Sequence, residues 1–435
     1  MTFTRAGANS ARTGMRTLAL LTFMLMPGAP ARADTFEQVL HLVAEKHPRL
    51  VASRQLTRAG RADVRAARSS YRPQLGVQTD LGWAGRTASS DSGIALAPEV
   101  SVSQLVFDGG RTAAEIQRRR VRVDLLGVQE QAVLAQLSVQ LAKAWIDHAR
   151  AEQLVAISEQ QVAALGMLAT LVKDIASFDR GRASDVVMVD SRLQQAETTL
   201  ETRRIALVEA RARVREIAAL PVEPEGSVAD LSGALPPSAE ACRGIAASSP
   251  AVQIADLEAA ESEQAVRGTR NWWMPQLAVE GARTSERTAD GRTNLLNGFA
   301  VRLRASALPF DSGGGRARHE SAKAAFDAAR SNAELIRTSL ADQAARLWTF
   351  QAQRRERLSA LEGIVGKSDE ARDIVFEQFR IGRRSILDVL AYDLERFNSR
   401  AQLVNERHDI ATTQYELLGI LGRVYPALWP EAVAL

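Results

Sequence analysis

Cysteine, lysine and aromatic residues are all scarce in this chain of 435 residues. The one cysteine, Cys242, cannot form a disulfide within the chain, so the folded state must be stabilised by packing or by oligomerisation. Only five of the 55 basic residues are lysines, and the arginines alternate with acids along helix-like runs instead of forming a basic block. This charge pattern argues against nucleic-acid binding.

Sequence motifs for catalysis, cofactors or metals are also missing. The five histidines are scattered, with no HExxH motif and no Cys/His spacing typical of a zinc site. The glycine-rich "FDSGGGR" (310–316) lacks the Lys-Ser/Thr pair of a phosphate-binding loop. We therefore predict no enzyme, no cofactor and no metal, although a catalytic triad assembled only in space would leave no such motif.

The chain has no long apolar run after its first 33 residues. That first segment combines Arg5, Arg12 and Arg16 with the short apolar stretch Thr17–Leu25 and a small-x-small site at Ala31–Ala33. This order is typical of a secretory signal peptide, and a buried N-terminal helix is the alternative. Without a membrane-spanning apolar run, the mature protein should be periplasmic, secreted, or an outer-membrane β-barrel.

What the chain does contain is an internal repeat with a spacing near 200 residues. "YRPQLGV" (71–77) corresponds to "WMPQLAV" (273–279), and "FDRGRAS" (178–184) corresponds to "FRIGRRS" (379–385). Each copy predicts a short helix, two strands, a long helix, a glycine turn and a shorter helix. The predicted divisions are a signal peptide (1–33), a first repeat (34–220), a linker (221–238), a second repeat (239–422) and a C-terminal tail (423–435).

The long helices are predicted over about 112–177 and 316–378, which contain no proline. Helices of that length, on the order of 100 Å, need lateral partners. The shorter helices show a heptad seam of alternating three- and four-residue steps. In the first copy the seam is Val186, Val189, Leu193, Ala196, Leu200, Leu207, Ala210, Val214 and Ile217, with Arg203 in the missing place. In the second it is Leu387, Leu390, Leu394, Phe397, Ala401, His408, Ala411, Tyr415 and Leu418.

Four strand-like segments alternate apolar and polar residues, as transmembrane barrel strands do. The fourth is clearest, because Phe299, Val301 and Leu303 alternate with Arg302 and Arg304. We predict that Arg302 and Arg304 face a barrel lumen. The alternation alone fits a small soluble sheet equally well. Four strands cannot close a barrel, and an open edge is not tolerated in lipid, so membrane strands would require oligomerisation.

A Phe-Asp-glycine-Arg corner follows the second strand of each copy. In "LVFDGGR" (105–111), Asp108, Gly109 and Gly110 separate a strand from a long helix, and Asp311, Gly313 and Gly314 do so in the second copy. The glycines permit the positive-φ backbone of a sharp turn, and Asp108 is placed to cap the following helix. We therefore interpret both motifs as structural corners rather than ligand loops.

This plan resembles the TolC family of outer-membrane export ducts over essentially the whole mature chain. The resemblance rests on the duplicated layout, on "QLVFDGGR" from Gln104, and on the segment 379–422, which is most similar to outer-membrane partners of type I secretion systems. It implies a mainly α fold with a homotrimeric twelve-stranded β-barrel in outer-membrane lipid. Below the barrel it implies a periplasmic α-helical tunnel that engages an adaptor protein and an inner-membrane transporter.

Three functions stay open at this stage. The first is type I protein secretion, and the second is small-molecule efflux with a proton-driven pump, because the same duct serves both. The third is a periplasmic coiled-coil structural protein, which would leave the strands unexplained.

The resemblance also implies a closed periplasmic tip, turned at Gly181 and Gly382. The family's bridging arginine and pore-lining aspartate fall on Arg384 and Asp388. A second gate aspartate and a tyrosine are replaced here by Ala391 and Phe379, so part of the family's closed-state network is missing. The alternative for Arg384 and Asp388 is a solvated arginine and an aspartate that stabilises a helix start.

Overall fold

The computed structural model describes residues 34–84, 93–179, 182–284, 287–288 and 298–429. The predicted signal peptide and the tip residue Gly181 lie outside these residues, as do most of the segments 84–93 and 286–298, which we predict to be loops outside the cell.

The element order confirms the predicted repeat. The first half contains α1 (Phe36–Lys46), α2 (Pro48–Ser69), β1 (Gln74–Ala84), β2 (Gly93–Phe107), α3 (Arg111–Phe178) and α4 (Ala183–Ala218). The second contains α5 (Ala239–Ala246), α6 (Pro250–Arg270), β3 (Gln276–Thr284), β4 (Arg287–Thr288), β5 (Gly298–Ser306), α7 (Gly314–Arg380), α8 (Ile386–Ile420) and α9 (Val424–Leu428). The two-residue strand β4, which pairs with β2, was not predicted.

The two long helices have 68 and 67 residues, so each is on the order of 100 Å long. The helix α3 also contains an 18-residue window apolar enough, by composition, to cross a membrane, although only 28% of that window is buried. We attribute this apolar content to packing, because α3 has helical neighbours on both sides.

The strands form one antiparallel sheet in the order β1-β2-β3-β5. The two hairpins are joined through β2 and β3, and this pairing slips once, between Leu105 and Phe107. In the described part of the chain, the outer edges of β1 and β5 have no strand partner. The sheet is therefore an open sector, as the predicted shared barrel requires.

The helices beneath the sheet form a row that is open in the same way. In the half nearer the sheet the packing order is α2-α3-α6-α7, and in the half nearer the tip it is α4-α3-α8-α7. The long helices α3 and α7 run through both halves. One side of the row therefore ends at α7, and the other ends at α2 or α4.

The largest core cluster ties both repeats together midway along the row. Phe36 of α1 makes edge-to-face contacts with Trp145 of α3 and Tyr415 of α8, with ring centroids 5.9 and 5.8 Å apart. Two of these rings also bind the predicted linker through their polar groups. The Trp145 indole donates to the Gly226 carbonyl (3.2 Å), and the Tyr415 hydroxyl donates to the Ala229 carbonyl (3.0 Å). The linker is irregular, apart from a 3-10 turn at Ser232–Ala234, but it belongs to the core.

Burial confirms the heptad seam of α4, whose predicted positions are all buried or half-buried. Arg203 occupies its seam position by donating to the Leu154 carbonyl (3.0 Å) and the Ser158 hydroxyl (2.6 Å) of α3. In α8 the predicted seam is wrong near the tip, since Leu387 and Leu394 are 58% and 42% exposed. The helix α8 packs between α7 and α3, so a different and wider face is buried there.

The two copies of the turn motif also differ more in structure than their similar sequences indicate. Phe178 and Phe379 stand at matching places in "FDRG" and "FRIG", but Phe178 is 94% exposed whereas Phe379 is 2% exposed. The two long helices therefore end with different faces toward their partners.

Candidate functional site: corner, lumen and tip

The Asp108 side chain closes the first corner. Its carboxylate accepts from the backbone amides of Gly110 (3.0 Å) and Thr112 (2.6 Å), and the Arg111 guanidinium donates to its carbonyl (2.9 Å). The carboxylate thus satisfies an amide in the first turn of α3, which has no partner within the helix. Asp108 is buried at this point where the strand becomes a helix.

The glycines of this corner have two different roles. Gly109 and Gly110 both have positive φ, at 71° and 88°. At Gly109 a Cβ would lie 2.9 Å from the Cβ of Met274, whereas at Gly110 it would have no neighbour within 4 Å. The side-chain amide of Asn271 also donates to the Gly109 backbone carbonyl (2.9 Å). The first corner is therefore packed against the second repeat, a contact between residues far apart in sequence.

The second corner has the same backbone course with different residues. Ser312 and Gly313 adopt positive φ, at 56° and 89°, and Gly314 is the first residue of α7. Asp311 pairs with Arg318 of that helix at 2.9 Å. The extra glycine, Gly315, allows close packing against the Trp272 ring, which a Cβ would approach to 2.2 Å. The second corner motif has two residues more than the first, Gly314 and Gly315. Both belong to the first turn of α7, which corrects the prediction that Gly314 lies in the corner.

Arg302 and Arg304 lie together on the polar face of the sheet. Both pair with Glu280 on β3, at 2.8 and 3.2 Å. On the same face, nearer the outer ends of the strands, Gln78 donates to Glu99 (3.3 Å). The register places two arginines and one glutamate nearer the corner, and one glutamate nearer the outside. The sequence alone did not identify Glu280 as the partner of both arginines.

The opposite face of the sheet is apolar and exposed. Its side chains include Leu75, Val77, Phe299, Val301 and Leu303, all more than 60% exposed. Arg283 is the exception, since the register puts it opposite Phe299 on this face. Such an exposed apolar sheet face, with a charged opposite face, is the arrangement of a lipid-facing barrel strand.

The second tip turn is a tight helix-to-helix connection. Gly382 has a φ of 75°, its amide donates to Phe379 (2.9 Å), and the Arg383 amide donates to Gln378 (2.8 Å). These two bonds form a Schellman motif, which needs a residue such as glycine at the left-handed position. The next helix, α8, starts at Ile386, and Ser385 is its N-cap residue.

Asp388 and Ser385 form a capping box at the start of α8. The Asp388 amide donates to the Ser385 hydroxyl (3.2 Å), and the Asp388 carboxylate accepts from the Ser385 amide (3.1 Å) and hydroxyl (2.9 Å). These bonds lower the pKa of the Asp388 carboxyl. Arg384 lies 4.0 Å from this carboxylate and donates to the Gln378 side chain (3.2 Å). Both side chains are partly exposed at the tip.

A core cluster behind the tip joins α3, α4, α7 and α8. Phe379 is buried in it, and the Arg182 guanidinium lies 5.9 Å from the centre of the Phe379 ring. Farther up, Arg372 pairs with the 2% exposed Asp393 at 2.7 Å. Sequence reasoning missed this buried pair because the residues are on different helices. The exposed Ala391 has no polar group to contribute at the tip.

Two comparisons of sequence identify what this chain is similar to. Residues 39–219 and 243–423 match the outer membrane efflux protein family, so each repeat is matched separately. The outer membrane efflux protein BepC of Brucella suis biovar 1 (strain 1330) is 24% identical over 419 residues, covering 93% of this chain and 89% of BepC.

Solved structures show the same fold at low identity. The membrane channel CusC superposes with a TM-score of 0.80 at 13% identity, covering 90% of this chain and 92% of CusC. The outer membrane protein VceC of Vibrio cholerae superposes with a TM-score of 0.78 at 14% identity, covering 89% of this chain and 96% of VceC.

An open sheet with a lipid-type face, continued by long helices, defines a sector of a membrane channel. Because the family match spans both repeats, the chain belongs to the outer membrane efflux protein family. It is an outer-membrane efflux channel with a periplasmic helical tunnel, and the predicted TolC-like fold is confirmed. Members of this family are channels rather than enzymes.

Proposed function

We propose that three copies of this chain form the outer-membrane duct of a type I secretion system. In this proposal the duct passes a protein from an inner-membrane transporter and its periplasmic adaptor to the exterior. The main support for a shared duct is that the sheet has open edges at β1 and β5, and that the row of helices beneath it is open in the same way. The similarity of residues 379–422 to type I secretion partners supports the protein cargo.

Small-molecule efflux is the second candidate, and it is favoured by the name of the relative BepC. A deletion strain separates the two functions. Loss of a secreted protein, with drug susceptibility unchanged, would support type I secretion. Drug sensitivity with secretion intact would reverse the order of the two candidates.

The duct itself can be tested on protein extracted from outer membranes. We expect a detergent complex with the mass of three chains, and ion conductance in planar bilayers. A monomer without conductance under all conditions would refute the duct for either cargo.

We further propose that Arg384 and Asp388 act at a closed tip, as the family pattern implies. Three copies of each would meet around the axis, and the lowered pKa of Asp388 keeps its carboxylate charged in a neutral periplasm. Asp388→Asn retains an oxygen for the capping box and removes only the charge, so we expect a smaller cation preference in bilayers. Arg384→Gln should raise the open probability. If neither variant alters single-channel behaviour, these residues have no part in gating.

The lumen arginines have a simpler proposed role in the open barrel. Arg302 and Arg304 share one Glu280, so each chain has an excess positive charge at that level. We propose that this charge favours anionic segments of the cargo as they pass toward the outside.

A further inference from the structure

The two ends of the helix row have exposed faces that no part of the described chain covers. On α4, the face turned away from α3 carries Val187, Ile205 and Val208, which are 69%, 61% and 67% exposed. On α7, the face turned away from α8 is small and polar, and its exposed positions recur every three or four residues, at Glu356, Ser359, Gly363, Gly366 and Glu370.

The two glycines on α7 need an explanation. Glycine within a helix costs about 1 kcal/mol relative to alanine, so Gly363 and Gly366 together weaken the helix. A Cβ at either position would meet nothing within 4 Å. They are therefore not required by any contact in the described part of the chain, but they would let another helix approach closely.

A second copy of the chain is the partner that the sheet demands. Lipid cannot tolerate the open edges of β1 and β5, so β5 of one copy must pair with β1 of the next. The helices continue directly from these strands, and the row ends at α7 on one side and at α4 on the other in the half nearer the tip. Closing the ring therefore brings α7 of one copy beside α4 of its neighbour.

The internal repeat supplies an example of this joint within one chain. The long helix of the first repeat, α3, already packs against the shorter helix of the second, α8, through Arg150 and Asp409 at 2.8 Å. By the repeat, α7 should pack against α4 of the next copy in the same way. Asp409 lies as far beyond Gly382 as Val208 lies beyond Gly181, so Val208 takes its place in the second joint.

Contacts along the row give the height of this joint independently. Arg203 of α4 contacts Ser158 of α3, and Arg400 of α8 contacts Gln160 of α3 and Asp369 of α7. Following these contacts across the row brings Ile205 to the height of Gly363, whereas the repeat argument brings Val208 near Gln351, the counterpart of Arg150. The two routes therefore bracket the segment of α7 from Gln351 to Gly363, a length of about three helical turns.

We infer that Ile205 and Val208 of one copy pack against the small-residue face of α7, centred on Ser359 and Gly363, in the next copy. This inference rests on the proposed trimer. It identifies the two helix faces that are in contact where neighbouring copies meet. The joint buries two exposed β-branched side chains, and it uses the space left by Gly363. The joint also accounts for the exposure of Ile205 and Val208 on α4, whereas α8 packs between α3 and α7 of its own chain.

Cysteine pairs test the joint in outer membranes, in a Cys242→Ala background. We expect Ile205→Cys to form disulfides between subunits with Ser359→Cys or Gly363→Cys, giving dimer and trimer bands on non-reducing gels. Ile205→Cys with Glu377→Cys is the matched control, since Glu377 is about 21 Å farther along α7 from Gly363 and should not cross-link. Absence of cross-links to both 359 and 363 from a protein that is trimeric and conducting would overturn the joint and leave the duct intact.

A substitution that fills the space left by Gly363 gives a second test of the joint. Gly363→Leu should lower the temperature at which the detergent-solubilised trimer dissociates by several degrees or abolish the trimer. Gly166→Leu is the matched control, because Gly166 is also an open glycine within a long helix, but α3 has both neighbours in its own chain. Equal trimer stability of the two variants would refute the joint, whereas a wild-type protein that is monomeric would refute the proposed duct as well.

Discussion

The corner glycines Gly109 and Gly110 allow the strain of a left-handed backbone to be separated from the effect of close packing. Both have positive φ, and both would be strained by any side chain. Only Gly109 faces a neighbour, because its Cβ would lie 2.9 Å from Met274 and 3.3 Å from the Asn271 carbonyl oxygen. The pair therefore forms a matched comparison within one turn.

Gly110→Ala should lower the free energy of unfolding by about 1–2 kcal/mol, which is the usual cost of a left-handed conformation for a residue with a Cβ. Gly109→Ala carries the same cost and adds overpacking against the second repeat, typically about 1–3 kcal/mol. We therefore expect Gly109→Ala to lose about 2–5 kcal/mol. Gly313→Ala, with positive φ and open space, should behave like Gly110→Ala.

The comparison can be made by denaturant unfolding of the detergent-solubilised protein, followed by far-ultraviolet circular dichroism. The expected order of midpoints is wild type, then Gly110→Ala and Gly313→Ala together, then Gly109→Ala. Equal losses for Gly109→Ala and Gly110→Ala would show that the contact with Met274 relaxes freely. In that case the first corner would be a local turn and not a contact between the two repeats.

Two further predictions concern buried polar groups. Arg372→Met should destabilise the protein by about 3–5 kcal/mol because it leaves Asp393 buried without its partner, whereas Arg372→Met with Asp393→Leu should recover most of that loss in the same unfolding assay. Burial lowers the pKa of His148, which is 2% exposed, so the folded state binds fewer protons than the unfolded state. Stability should then fall as the pH drops below 6.5, by at most about 1.4 kcal/mol per pH unit from this group, and His148→Leu should flatten that part of the profile.

Features with a local period could be predicted from the sequence. The seam of α4, the strand alternation and the length of α3 each depend on residues close together in the chain, and the structure confirms them. The corner at Asp108 was also predictable, because its capping bonds span only two to four residues.

Features that depend on the order of the helices could not be predicted. The exposure of Leu387 and Leu394 follows from α8 having two neighbours, and no heptad count reveals how many neighbours a helix has. Arg203 interrupts the seam of α4 in the sequence, yet it fits there because Ser158 and the Leu154 carbonyl face it from α3. The sequence similarity of the two tip motifs was also misleading, because Phe178 is exposed whereas Phe379 is buried.

The duplication explains why one chain can close a ring with two kinds of joint. Within a chain, β2 pairs with β3 and α3 packs against α8, so the second hairpin follows the first. A closed ring needs the same step from the second hairpin to the first hairpin of the next copy. The internal joint could accumulate partly buried charged pairs such as Arg150 with Asp409, because both partners fold together in one chain. At the proposed joint between copies, the residue equivalent to Asp409 is the apolar Val208. A charge there would be unpaired before assembly, whereas an apolar side chain can be buried by any copy that arrives.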